Sequence, residues 1–196
     1  MGQYWMLVNL DKKEFVLPHK LGSGLKLWEQ LANHPGTGAA LVILLAAMPE
    51  TRGGGDFDLD ANWHGPERTF PEHNAIPGPM PNGYQEIAHR TIGRWAGNRV
   101  AFVGDYAEKT DLPAKFNADL IYSLCGTEGE KQDSVEYYRK YAKETKDRQY
   151  TRKANRLAKA TAYTDISDDV AAVIEHELKG KYKGDGWREF VFTKEE

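Results

Sequence analysis

Disulfides, membrane spans and a charge excess are all missing from this sequence of 196 residues. Cys125 is the sole cysteine and cannot close an intrachain bridge, which removes the disulfide-stapled secreted class. The longest apolar run, Ala39 to Met48, has ten residues, whereas a membrane-crossing helix needs about 20, so it reads as a buried element of a core. Asp11, Lys12, Lys13 and Glu14 interrupt the stretch where a signal peptide needs unbroken apolar residues. Lys and Arg total 26 against 29 Asp and Glu, and the net charge of −3 gives no global field toward nucleic acid or an anionic membrane. There is no Gly-x-Ser-x-Gly, and Cys125 has no histidine beside it in sequence, so neither common nucleophile signature is present. These absences predict an intracellular, cytoplasmic protein with no membrane partner and a structural Cys125.

What is present is a folding composition, 40% apolar and 28% charged, sufficient for one domain with a real core. Tyr4 to Val8 and Glu14 to Leu17 are short aromatic and aliphatic runs on either side of a turn-like Asn9-Leu10-Asp11-Lys12-Lys13, which predicts a hairpin. Gly22-Ser23-Gly24 then precedes Leu25, Leu27, Trp28 and Leu31, whose spacing of three and four fits one helix face, and Asn33-His34-Pro35-Gly36 ends that helix. Thr37 is placed to cap a central helix made of the apolar run.

Six of the nine prolines fall between Pro49 and Gly83, with Gly53-Gly54-Gly55 among them, so 50–83 reads as a long irregular loop. Tyr84, Ile87, Ala88, Thr91, Ile92 and Trp95 repeat at helical spacing before Gly97, and Val100 and Phe102 alternate as in a strand that ends at Gly104-Asp105-Tyr106. The charged segment 126–160 predicts one long helix or two, and Thr164 to Ser167 offers caps for a helix burying Val170, Val173, Ile174 and Leu178. Trp187 to Phe192 reads as a last strand. The sum is a single α+β domain over 1–196: a small, mostly antiparallel sheet from the hairpin, the Val100 strand and the C-terminal strand, covered by helices on one face.

Three stretches carry a likeness: Gly2-Gln3-Tyr4-Trp5 with Asn9-Leu10-Asp11-Lys12, Trp95-Ala96-Gly97-Asn98-Arg99 with Val103-Gly104-Asp105-Tyr106, and Gly184-Asp185-Gly186-Trp187. In these the chain resembles a family of uncharacterised fungal and bacterial proteins with no established activity. The resemblance implies a stand-alone module, in some relatives beside F-box-like segments. That family tends to carry Asp where this chain has Asn98, and Asn has no ionisable proton for acid-base work. The central stretch has two readings. In one, Gly97 ends a helix, Trp95 packs in the core and Arg99 pairs with a carboxylate; in the other, Arg99, Asp105 and Tyr106 line a ligand pocket, with Trp63 contributed by the loop.

The densest polar cluster is Asp56, Asp58, Asp60, Asn62 and Glu67, at positions 1, 3, 5, 7 and 12 of a calcium-loop frame. Ala61 stands where that frame wants glycine, and Pro66 precedes the last ligand. The same residues suit a half-buried strand with Phe57 and Leu59 inward, and His64 and His73 with the carboxylates suggest a zinc alternative. A divalent cation, calcium or zinc, is therefore the cofactor this segment would take. The glycine-rich turns Gly22-Ser23-Gly24 and Gly36-Thr37-Gly38 lack the P-loop and dinucleotide signatures and read as caps.

Between Arg139 and Lys159 nine basic residues stand against Glu144 and Asp147, with Tyr141 and Tyr150 interleaved. The 139–159 segment could make a weak RNA contact, although Glu128, Glu130, Asp133 and Glu136 just upstream would offset it as a solvated face, and nucleic acid is not the expected partner. The leading functional expectation is a pocket for a small-molecule polar ligand or a divalent cation, formed by the loop and the Asp105 strand end. The alternative is a non-enzymatic protein interaction or assembly module, whose partner surfaces would be the loop and the charged helix.

Overall fold

The computed structural model describes residues 3–32, 36–47 and 83–176. Strand β1 (Trp5–Asn9) turns into β2 (Glu14–Val16), and the two pair antiparallel with Leu7 opposite Val16 and Asn9 opposite Glu14. Strand β3 (Val100–Gly104) pairs antiparallel with the other edge of β1, Trp5 facing Gly104 and Leu7 facing Phe102. A two-residue strand β4 (Thr164–Asp165) lies parallel to β2, giving a four-stranded mixed sheet of order β3-β1-β2-β4. The predicted hairpin and Val100 strand are both present. The fourth strand comes from 164–165, and the expected C-terminal strand at 187–192 lies outside the described residues.

The helices are α1 (Glu29–Ala32), α2 (Gly36–Leu45), α3 (Tyr84–Thr91), α4 (Ala118–Leu124), α5 (Glu128–Thr145), α6 (Arg148–Lys159) and α7 (Ser167–Ile174). Among the described residues no helix is long and apolar enough to cross a membrane. The helices cover both faces of the sheet, which corrects the one-face expectation. Met6, Val8, Phe15 and Val103 point toward α4, α5 and α6, whose Ile121, Val135 and Leu157 are buried with them. Leu7 and Val16 point the other way and join Ile43, Leu44, Ala88, Val170 and Val173 of α2, α3 and α7. The two-residue period of a strand divides β1 between two cores. The signal was in the run itself, because Trp5-Met6-Leu7-Val8 has no polar alternation, as a strand buried on both sides requires.

The charged segment forms two helices rather than one. Thr127 and Glu130 form a reciprocal capping box at the start of α5, Lys146 takes a left-handed conformation (φ 59°) at its end, and the Asp147 side chain caps α6 by accepting from the Gln149 N–H. Two other expectations are corrected. Only Glu29–Ala32 of the 25–31 stretch is helical, because Leu25 O is engaged by the Trp5 N–H at 2.9 Å and Gln30 Nε2 donates to Trp5 O at 2.9 Å, which fixes that segment against the start of β1. Thr37 lies inside α2, its backbone N–H donating to Ser23 Oγ at 3.1 Å, so it is not the cap.

Helix α3 stops at Thr91, short of the expected Trp95, because Gly93 (φ 71°) turns the chain. The turn docks on the end of α2: the Gly93 N–H donates to Ile43 O at 2.9 Å and the Trp95 N–H to Leu44 O at 2.8 Å, satisfying carbonyls that a helix end leaves open. A Cβ at Gly93 would lie 2.6 Å from the Ala46 carbonyl oxygen. Gly93→Ala therefore combines a left-handed backbone with a clash against main chain, and a loss of about 2 to 3 kcal/mol is expected in urea unfolding. An unchanged midpoint would contradict that account.

Candidate functional site

Two of the stretches singled out in the sequence, described here over 3–12 and 95–106, meet in space, because they flank and include the neighbouring strands β1 and β3. At one end sits a polar junction around the hairpin turn. Asn9 is fully buried, its Oδ1 accepting from the Asp11 and Lys12 N–H groups at 3.0 and 2.9 Å while its Nδ2 donates to Asn98 Oδ1 at 3.0 Å. Asp11 Oδ2 accepts from the Arg99 N–H at 2.8 Å, and its Oδ1 takes Nε at 2.9 Å and a further close bond from Nη2. The Arg99 guanidinium also lies over the Phe116 ring, 4.8 Å from its centroid.

Beside this pair, the nearly buried Glu14 receives Arg94 through Nε at 3.0 Å and Nη2 at 2.7 Å, and the Trp95 indole N–H at 2.8 Å. Lys12 Nζ closes the ring on Arg94 O at 2.7 Å. Burial alone would push the Glu14 carboxyl up, but the bonds from Arg94 and Trp95 outweigh it and hold the group below the usual carboxylate range. The Asp11 carboxyl is likewise held low by its hydrogen bonds from Arg99. Both carboxylates are charged and committed to a cation, so the junction is an electrostatic clasp between hairpin and turn and offers no proton at neutral pH.

At the far end of β3, Asp105 Oδ1 accepts from the Tyr4 N–H at 3.1 Å and the Asp105 N–H donates to Tyr4 O at 3.0 Å, extending the β1–β3 ladder. Tyr106 projects into solvent. The Tyr122 phenol is pushed up to about 12, first by burial and then by the Asp105 carboxylate. Arg99 and Asp105 stand at opposite ends of a five-residue strand, roughly 20 Å apart at strand rise, so the structure does not bring Arg99 to Asp105 and Tyr106. Trp63 and the expected cation ligands Asp56, Asp58, Asp60, His64, Glu67 and His73 lie outside the described residues. Among the described residues no group of three or more His, Cys, Asp or Glu is placed to hold a metal ion. Burial pushes the Cys125 thiol up, with Asp165 adding to it, so it is not poised as a nucleophile.

The basic segment is divided between α5 and α6. Arg156 is spent on Asp119 and Asn117, and Lys153 lies over the Tyr138 ring at 4.5 Å. Arg139, Lys140, Lys143, Lys146, Arg148, Arg152 and Lys159 are exposed and make no ion pair among the described residues. The acidic residues expected to offset them are engaged elsewhere in part: Glu130 in the capping box, Glu128 with Lys131 and Gln132. Tyr137, Tyr138, Tyr141 and Tyr150 form a connected ring cluster along the helix pair.

One surface has no counterpart among the sequence expectations. Trp28 is 77% exposed and Leu31 61% on α1 and its approach, and Val42 is 67% and Leu45 38% exposed on α2. A Cβ at Gly38 would lie 3.6 Å from Leu31 Cδ2, so the exposed sides of the two helices adjoin. Gly38, Leu41, Val42 and Leu45 follow the three-and-four spacing of a second apolar stripe, opposite the buried Ala40, Ile43 and Leu44. A helix apolar all round ordinarily lies wholly inside a core, and among the described residues this one is packed on the side of Ala40, Ile43 and Leu44 while Val42 and Leu45 are exposed. No family model, curated protein or solved structure matches this chain.

Proposed function

We propose that this protein is a non-enzymatic assembly module that pairs with a second copy of itself through the apolar face of α1 and α2. The observation that carries the reading is the exposure of Trp28, Leu31, Val42 and Leu45 on α2 and the adjoining α1 segment, where Leu31 lies beside Gly38. Monomeric proteins seldom leave contiguous apolar surface of this kind uncovered. A second copy suits it because residues 36–45 contain no charged side chain, so a two-fold pairing of α2 with α2 meets no like charge and buries no lone ion.

The four exposed side chains present on the order of 400 Å² per copy. With Ala39 and Leu41 at the rim, two copies would bury about 1,000 Å², the lower bound of a specific interface. The dimer should therefore be weak and depend on concentration. The reading as a pocket for a polar ligand or divalent cation draws no support from the described residues, where the polar groups of the 2–12 and 95–106 stretches engage one another.

Sedimentation equilibrium over a range of micromolar concentrations tests the proposal. The expected result is a monomer–dimer equilibrium that Val42→Glu shifts to monomer, weakening association at least about a hundredfold, near 2.7 kcal/mol, because two glutamates would face each other across the axis. Val42 is exposed in the single chain, so thermal stability should be unchanged. A wild-type chain that remains monomeric throughout, or a Val42→Glu chain that still dimerises as well, overturns it.

A further inference from the structure

A hollow on α5, which packs on the opposite face of the sheet from α2, has a different chemistry from the α1–α2 surface. It measures about 260 Å³ and is lined by Asp133, Ser134, Tyr137 and Tyr138. Asp133 and Tyr137 are four positions apart, as are Ser134 and Tyr138, so one face of one helix places all four side chains. Tyr137 is 60% exposed and meets Tyr138 edge to face, the ring planes at 69° and the centroids 5.4 Å apart. Lys153 of α6 already lies over the Tyr138 ring at 4.5 Å, so the ring left open to a ligand is that of Tyr137.

The charge around this hollow is negative. The first part of α5 holds Glu128, Glu130, Asp133 and Glu136 against Lys131, whereas Arg139, Lys140 and Lys143 follow later in the helix beside Glu144. Glu128 is engaged by Lys131 and Gln132, and Glu130 closes the capping box with Thr127. Asp133 is exposed and has no hydrogen-bond or ion-pair partner among the described residues. Its neighbours one turn away are Gly129, Glu130, Glu136 and Tyr137, none of them a cation, and Lys140 is two turns off. A lone carboxylate on a helix is ordinarily just solvated. This one borders an open aromatic ring in a concave surface, and both groups attract positive charge.

We infer that the hollow takes a guanidinium group, flat on the Tyr137 ring with two of its N–H groups donating to the Asp133 carboxylate. The molecule holds one of its own arginines by this pair of contacts: Arg99 Nε donates to Asp11 Oδ1 at 2.9 Å while the guanidinium lies 4.8 Å from the centroid of the Phe116 ring. A guanidinium is planar and carries its donors as a fork, so it serves ring and carboxylate together, whereas an ammonium is a point charge without that match. The group can arrive as a small guanidinium compound or as an arginine side chain of a partner chain, and the contacts in the hollow are the same for both.

Titration of the full chain with propylguanidinium, followed by the amide resonances of Asp133, Ser134, Tyr137 and Tyr138, tests this. The expected result is saturable binding with Kd on the order of 1 mM, since one ring and one exposed carboxylate supply the contacts. Butylammonium should bind at least about threefold more weakly, and neutral propylurea should not bind. The peptide acetyl-Gly-Arg-Gly-amide distinguishes the sources: tighter binding than propylguanidinium points to a partner chain, and weaker binding to a small compound. Asp133→Asn should weaken propylguanidinium binding roughly tenfold. Tyr137→Ala should cost roughly threefold and Tyr137→Phe almost nothing, because the ring face and not the hydroxyl makes the contact. Glu144→Gln removes the same charge from the same helix away from the hollow and should leave binding as in the parent. Both hollow residues are exposed, and circular dichroism melting checks that each variant folds as the parent does. No shift of these amides at tens of millimolar propylguanidinium, equal binding of propylurea or butylammonium, an Asp133→Asn chain that binds like the parent, or an equal loss in Glu144→Gln would each overturn the inference.

Discussion

Trp95→Ala should cost about 4 to 5 kcal/mol and lower the melting temperature by roughly 10 to 20 °C, the largest effect expected of a single replacement in this chain. Trp95 is fully buried among Leu7, Leu44 and Val170, so its removal leaves a cavity lined by helices and the central strand. The change also deprives Glu14 of its indole donor. Domains of this size are stable by only about 5 to 15 kcal/mol, so a sizeable fraction of the variant should be unfolded at body temperature. Differential scanning calorimetry of variant against parent measures it. A drop of only one or two degrees would mean that the pocket collapses around the missing ring and that the junction does not depend on it.

Glu14→Gln should cost about 2 to 3 kcal/mol at neutral pH, because Arg94 loses a bidentate partner that only a carboxylate supplies. The pH dependence separates charge from packing. The folded-state carboxyl of Glu14 is held below its unfolded value, so its contribution is fully present above about pH 5 and disappears as pH falls through 4 and below. The parent should lose stability over that interval, and the Glu14→Gln variant should lose less. Urea unfolding of both proteins at about pH 7 and near pH 3 should show the gap closing in acid. A gap of equal size under both conditions would assign the loss to shape rather than to the ion pair.

Local signals in the sequence are enough for the hairpin, the Val100 strand, the apolar helix and the helical character of the charged segment, whose division at Lys146 and Asp147 the fold supplies. Arg99 is readable as a structural ion-pair residue, and it pairs with Asp11 across 88 positions of chain. What local pattern does not supply is how many layers surround the sheet. Leu25, Leu27, Trp28 and Leu31 have the spacing of one helix face, yet the backbone there is captured by β1, only Glu29–Ala32 is helical, and Trp28 and Leu31 are exposed. Spacing shows that residues can share a face but not what that face meets. Helix α2 illustrates the same limit, since the apolar run that begins at Ala39 predicts burial and only the fold reveals that Val42 and Leu45 are exposed.

The clasp at the hairpin is half visible. Asp11 and Glu14 read in the sequence only as breaks in an apolar stretch, and their partners lie 88 and 80 positions downstream, a separation that no local motif bridges. A signal that could have found them is the pairing of a charged hairpin turn with a tryptophan flanked by two arginines, Arg94 and Arg99, around a glycine. Asn98 accepts from Asn9 Nδ2, a bond that an aspartate in its place would make as well, so this side chain serves the turn whether or not it can ionise.

The division of β1 between two cores has a kinetic corollary. Its odd and even side chains belong to separate clusters, yet they hang from one backbone that is hydrogen-bonded on both edges. Neither half can loosen alone without pulling this shared strand out of register, so the two should unfold in a single cooperative step, and the amide protons of Met6 to Asn9 should exchange with solvent only when the whole molecule opens.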